Sequence, residues 1–78
     1  MNTWLYPSGK IYCILSQDKR TYFYEDGTLK TVEPYFSQKL HGDVLLYWPN
    51  GELKRKCQFQ HGVPEEDQMW DENGQRMS

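Results

Sequence analysis

The chain reads as an all-β protein: an antiparallel meander of repeated β-hairpins in an elongated, single-layer sheet. Three observations predict this. First, a turn motif is written four times, as Tyr6-Pro7-Ser8-Gly9, Tyr24-Glu25-Asp26-Gly27, Trp48-Pro49-Asn50-Gly51 and the looser Trp70-Asp71-Glu72-Asn73-Gly74. The glycines at 9, 27, 51 and 74 are separated by 18, 24 and 23 residues. A period in this range marks a repeat array, in which each unit buries its apolar face on its neighbours. Second, the segments between glycines alternate apolar and polar residues with the period of a strand, and no helical period is sustained. Third, the mean hydropathy of −0.91 fits a thin structure with two wet sides.

The elements follow in order. Lys10 to Ser16 sets Ile11, Cys13 and Leu15 on one side and Tyr12 and Ile14 on the other. Thr21 to Tyr24 is short and aromatic. Thr28 to Val32 carries Leu29 and Val32, and Pro34 then points to an edge, a bulge or the end of pairing. Asp43 to Trp48 alternates Val44, Leu46 and Trp48 against Leu45 and Tyr47. Glu52 to Phe59 sets Leu53, Cys57 and Phe59 against Lys54, Lys56 and Gln58, with Arg55 keeping the first face wet. Gln68 to Trp70 and Gln75 to Met77 close the pattern.

Asn50-Gly51, Asn73-Gly74 and Asp26-Gly27 are hairpin signals, because both residues of each pair tolerate positive φ. Ser8-Gly9 is weaker. Pro7 and Pro49 pre-set φ at the start of their turns. Two further segments, 35–42 and 59–66, read as connectors between hairpins, and the connector at 16–20 is shorter. The hairpin units are expected at about 4–16, 21–33, 43–59 and 66–78 of one domain. Seven or eight short strands result, with alternate turns at opposite edges of the ribbon.

Seventy-eight residues bury a modest share of their surface, roughly 60% for a chain of this size. An aromatic content of 15% compensates in part. A net charge of −2 argues against nucleic acid and anionic membrane as partners. No apolar stretch approaches a membrane span, and Met1-Asn2-Thr3-Trp4 is not a signal-peptide start, so the expected location is cytoplasmic. Cys13 and Cys57 form no CxxC and read as two buried free thiols.

The residues also resemble a known family. Tyr47-Trp48-Pro49-Asn50-Gly51-Glu52-Leu53-Lys54 and the connector ending Lys39-Leu40-His41-Gly42 resemble the MORN repeat in its bacterial variant form. Trp70 to Gly74 matches a five-residue turn variant, and Phe59 with Gly62 matches the link between copies. Gln38, Glu66 and Arg76 depart from the pattern. The resemblance implies an elongated single-sheet ribbon and an interaction module. It also implies an antitoxin- or immunity-like role, or an association with protein assembly, dimerisation and phospholipid contact.

No catalytic constellation stands out. His41 and His61 fall in connectors with no metal-ligand spacing, so no metal and no cofactor are expected. The repeat glycines are isolated and hairpin-spaced, not a phosphate loop. Tyr6, Tyr24, Trp48 and Trp70 recur once per hairpin and read as structural, each ring packing on its equivalent in the next hairpin. Trp4, Tyr12, Tyr22, Tyr35 and Phe36 lie off the repeated position. Those that face outward are the better binding residues. The expected partner is a protein. Its expected contacts are the acidic patch of Glu65, Glu66, Asp67 and Asp71 with Trp70. Self-assembly through open edge strands is the alternative. Lipid contact through Lys54, Arg55 and Lys56 is a weaker third.

Overall fold

The computed structural model describes residues 2–77, and every regular element in them is a strand. The strands are β1 (Asn2–Leu5), β2 (Ile11–Leu15), β3 (Lys19–Phe23), β4 (Leu29–Phe36), β5 (Lys39–Leu40), β6 (Gly42–Tyr47), β7 (Leu53–Gln60) and β8 (Val63–Met69). They form one antiparallel sheet in the order β1-β2-β3-β4-β6-β7-β8, with β5 paired to the end of β4. Its extents are 36 × 35 × 11 Å, so it is a plate one layer thick. The all-β meander expected from the repeat is therefore the observed fold.

Register assigns the faces. Trp4, Cys13, Tyr22, Thr31, Leu46, Arg55 and Met69 oppose one another in a single row from β1 to β8. Directly opposed residues share a face, as do residues two apart on one strand. Cys13 lies in this row, and Val44 and Cys57 lie two positions along from Leu46 and Arg55. These three are the buried apolar residues among those described. The other face carries the row Thr3, Ile14, Thr21, Val32, Leu45, Lys56 and Gln68. A core this thin follows from a sheet with no second layer: most side chains keep one flank in water.

The glycine turns share one hydrogen-bond pattern. Gly9, Gly27 and Gly51 each donate N–H to the carbonyl of the aromatic residue three before it, at 2.9 Å. Each aromatic N–H in turn bonds the carbonyl of the residue after the glycine, at 2.8 Å. Only the glycine of each turn takes positive φ, from +86° to +96°. Asn50, Asn73 and Asp26 do not, contrary to the hairpin type read from the sequence. Asp26 and Asn50 instead turn a side-chain oxygen to the N–H two residues on, at 3.0 and 2.9 Å. The short polar side chain mimics a backbone turn and makes a left-handed conformation there unnecessary.

The two-residue turns lie in the segments that read as connectors. Ser37 and Gln38 have φ of 53° and 67°, and His61 and Gly62 have φ of 51° and 85°. Positive φ at both central residues matches the twist of the flanking strands. Segments 35–42 and 59–66 are therefore mostly strand: β4 runs to Phe36, and β8 begins at Val63. At Ser37-Gln38 no glycine announces the turn, which is why the sequence hides it. The expected effect of Pro34 is seen on one side: β4 pairs β6 only at Thr31 and Val32, and the strands part before the proline. The fourth hairpin is thinner than expected. Its return is one bridge, Trp70 to Arg76, with Met77 N–H bonded to Met69 C=O at 2.8 Å. Ser78, the end of the expected fourth unit, lies outside the described residues.

Candidate functional site

The repeated aromatics form a ladder of polar tips. Tyr6 Oη donates to Phe23 C=O at 2.7 Å, Tyr24 Oη to Tyr47 C=O at 2.6 Å and Trp48 Nε1 to Trp70 C=O at 3.0 Å. In each case the acceptor lies four residues before the next turn glycine. The rings do not stack on their equivalents, as the sequence reading expected. A β-bulge on the strand after each turn leaves Tyr12, Lys30 or Lys54 unpaired, and each lies against the ring. Tyr12 meets Tyr6 edge-on at 5.2 Å, while Lys30 and Lys54 lie 5.6 and 4.6 Å from the centroids of Tyr24 and Trp48. Each contact is a ring–edge or cation–π attraction.

The fourth copy breaks the ladder. Gly74 N–H donates to Asp71 C=O, so Asp71 and not Trp70 holds the place of Tyr6, Tyr24 and Trp48. Asp71 Oδ1 accepts from the N–H groups of Asn73 and Gln75 at 2.9 Å, capping its own turn. Trp70 is half-buried and contributes its carbonyl to Trp48.

The expected acidic patch is thus divided. Asp67 is bonded to Arg55 through two N–H···O contacts of 2.8 and 2.6 Å. This bond holds the Asp67 carboxyl below the usual carboxylate range and raises Arg55. Asp26 is lowered too, by the Thr28 N–H. Glu65 is the unpaired residue of a bulge between β7 and β8. Glu66 opposes Gln58 on the face that carries Lys56. Trp70 and Asp71 lie at the turn end of the same strand. The five residues occupy one edge of the plate but share no common surface.

The first hairpin gathers what sequence reasoning left scattered. Trp4 (47% exposed), Leu5 (58%), Ile11 (42%) and Tyr12 (40%) all lie on β1 and β2, with the adjacent Trp4 and Leu5 on opposite faces and Leu5 opposite Ile11. Beside them an open groove of about 350 Å³ is lined by Gly9, Lys10, Ile11, Phe23 and Gly27. Trp4 and Tyr12 were named as off-repeat aromatics. Leu5 is not an aromatic, and its signal is the uncharged run Asn2-Thr3-Trp4-Leu5 at the start of the sheet. Of the other off-repeat aromatics, Tyr22 and Tyr35 are half-buried, and burial pushes both hydroxyls up. Arg20 covers the Tyr35 ring at 4.9 Å.

At the opposite end of the plate the two histidines meet. Their rings are 4.9 Å apart, with Phe36 against both. His61 N–H donates to His41 Nδ1 at 3.2 Å. That bond places any proton of neutral His41 on Nε2, the atom a metal would need. The described residues hold no group of three His, Cys, Asp or Glu placed for a metal ion.

The family model described as MORN repeat variant matches residues 19–36 and 40–61, just over half of the chain. The chain belongs to the MORN repeat variant family. The matched segments are the second and third hairpins, those whose aromatic tips both give and receive across a repeat junction. No curated protein and no solved structure matches the chain.

Proposed function

We propose that this repeat module is a non-enzymatic protein-binding module whose contact surface is the outer edge of the first hairpin. The observation that carries this is the exposure of Trp4, Leu5, Ile11 and Tyr12 at the two faces of an uncharged edge strand and its neighbour. Exposed strand edges template pairing with another chain, and aromatic anchors beside them supply binding energy. Occlusion of a partner protein, in the manner of an antitoxin or immunity factor, is the finer form of this reading. The acidic edge then acts as a charged flank that repels wrong partners and steers the right one.

The test is capture from source-cell lysate by tagged wild-type chain, by L5K and by the double variant E65K/E66K. A protein retained by wild type and by E65K/E66K but released by L5K supports the reading. Release by E65K/E66K with L5K unaffected would transfer the site to the acidic edge. Recovery of the chain's own copies alone would favour self-assembly.

A further inference from the structure

We infer that the connector end of the plate is a pH-sensitive clasp. Neutral His41 holds the two halves of the sheet, β1–β5 and β6–β8, together there, and protonation of His41 releases them. The clasp shares no residue with the first hairpin.

The clasp lies where the ladder is shortest. β4 and β6 pair only at Thr31–Leu46 and Val32–Leu45, and the end of β4 pairs β5 instead. Beyond Val32 the halves are joined by the His61-Gly62 turn. Gly62 N–H donates to Leu40 C=O at 2.8 Å, and His61 N–H donates to His41 Nδ1 at 3.2 Å. His41 is itself fixed, its own N–H bonded to Pro34 C=O at 3.1 Å. Side chains complete the contact. The Lys39 stem lies over Gly62, where a Cβ would meet its carbons at 3.8–4.0 Å. Phe36 lies against both imidazoles, at 5.7 and 6.5 Å between centroids.

The bond to Nδ1 exists in one charge state only. A neutral imidazole with its proton on Nε2 accepts at Nδ1, whereas an imidazolium donates at both nitrogens and accepts at neither. Protonated His41 therefore turns a donor toward the His61 N–H. The surrounding charges oppose protonation too. His61, its centroid 4.9 Å away, becomes a second cation in acid, and Lys39 of β5 is a third beside the turn. Pro34 and Phe36 of β4, Phe59 and Gln60 of β7, and Val63 and Pro64 of β8 are uncharged. Of the carboxylates on these elements, Asp43 of β6 draws Lys56 at 3.8 Å and Glu33 of β4 accepts from the Tyr35 hydroxyl at 3.2 Å. Glu65, Glu66 and Asp67 follow Pro64 on β8, and no ion pair joins either histidine to a carboxylate among the described residues. The closed clasp excludes a proton that the open chain accepts, so acid favours the open form. The two histidines are the side chains of this chain whose ordinary range lies between about pH 5 and pH 8.

The experiment follows the amide and imidazole nitrogen shifts of the full chain, and its Tm, from about pH 7.5 to about pH 5.5. At the upper pH His41 should carry its proton on Nε2. As the pH falls, the His61 and Gly62 amide protons should move toward their unbonded positions. Tm should drop by about 4–8 °C, the effect of one hydrogen bond in a domain of this size. H41N offers an acceptor that does not titrate, so its His61 amide and its Tm should hold level across the same range. H61N keeps the backbone donor and tolerates the positive φ, so it should retain an acid response. A wild-type His61 amide that ignores the pH, or an H41N chain that responds as wild type does, would overturn the inference. So would neutral His41 with its proton on Nδ1. Loss of the response in H61N, with H41N still responding, would transfer the sensor to His61 and overturn it too.

Discussion

The two outer edges of this sheet differ in length and in chemistry: β1 has four uncharged residues, and β8 has seven that include a proline and three acids. β8 carries several defences against edge pairing. Pro64 has no N–H to offer, Glu65 is bulged out of register, Glu66 and Asp67 are charged, and Met77 caps Met69. β1 has only its shortness, four residues: Asn2, Thr3, Trp4 and Leu5 are uncharged, and all four are exposed. A single-layer repeat sheet has two edges by construction. Here one is closed by its residues and the other is left able to pair.

Four changes break or sharpen that contrast. The largest effect belongs to Leu5. L5K should weaken partner capture about a hundredfold, the scale of a hot-spot residue, while E65K/E66K changes it less than about threefold. Binding measured with the captured protein decides this, and equal losses would erase the asymmetry. Next, removing the defences of β8 with P64T, E65T and E66T together should create a second open edge. Sedimentation velocity should then show association that rises with concentration, where the wild type shows none through that edge. A third change tests the ladder of aromatic tips that joins the hairpins between these edges. Y24F deletes the hydroxyl that bonds Tyr47 C=O and should cost about 1 kcal/mol. That is a fall in Tm of roughly 4–8 °C for a domain of this size. Y12F, whose ring makes its contact through its faces and edges, should shift Tm far less. The smallest effect is at Asp67. Its folded-state pKa is depressed by Arg55, so its contribution is complete above the ordinary aspartate value of about 3.9. It is lost as the pH falls through the depressed value. D67N should therefore be less stable than wild type at neutral pH, and the two should converge under acid unfolding.

Much of the fold was legible in the sequence because glycine turns at a regular step leave few alternatives to a hairpin array. The turn chemistry was less legible. Asn50-Gly51 and Asn73-Gly74 read as two-residue turns, yet the asparagines keep negative φ. Asn50 spends its carboxamide on Glu52 N–H and Glu72 C=O. The true two-residue turns, Ser37-Gln38 and His61-Gly62, include three non-glycine residues at positive φ, which local preference disfavours and strand pairing imposes. Trp70 matched the repeat by residue type, but the extra residue in its turn gives the aromatic place to Asp71. The acidic residues read as one patch because they are adjacent in sequence. Strand alternation, a bulge and the Arg55 ion pair separate them. The β1 surface was hidden for another reason: residues 2–5 carry no strand alternation long enough to read, Ile11 looked like an ordinary strand residue, and only the strand order places both at the end of the sheet.

Hydrogen–deuterium exchange on the chain with and without its captured partner tests the central claim most directly. The account predicts that protection rises in residues 2–5 and around Tyr12 and stays unchanged in 63–67. New protection in 63–67 with residues 2–5 exchanging as before would contradict it.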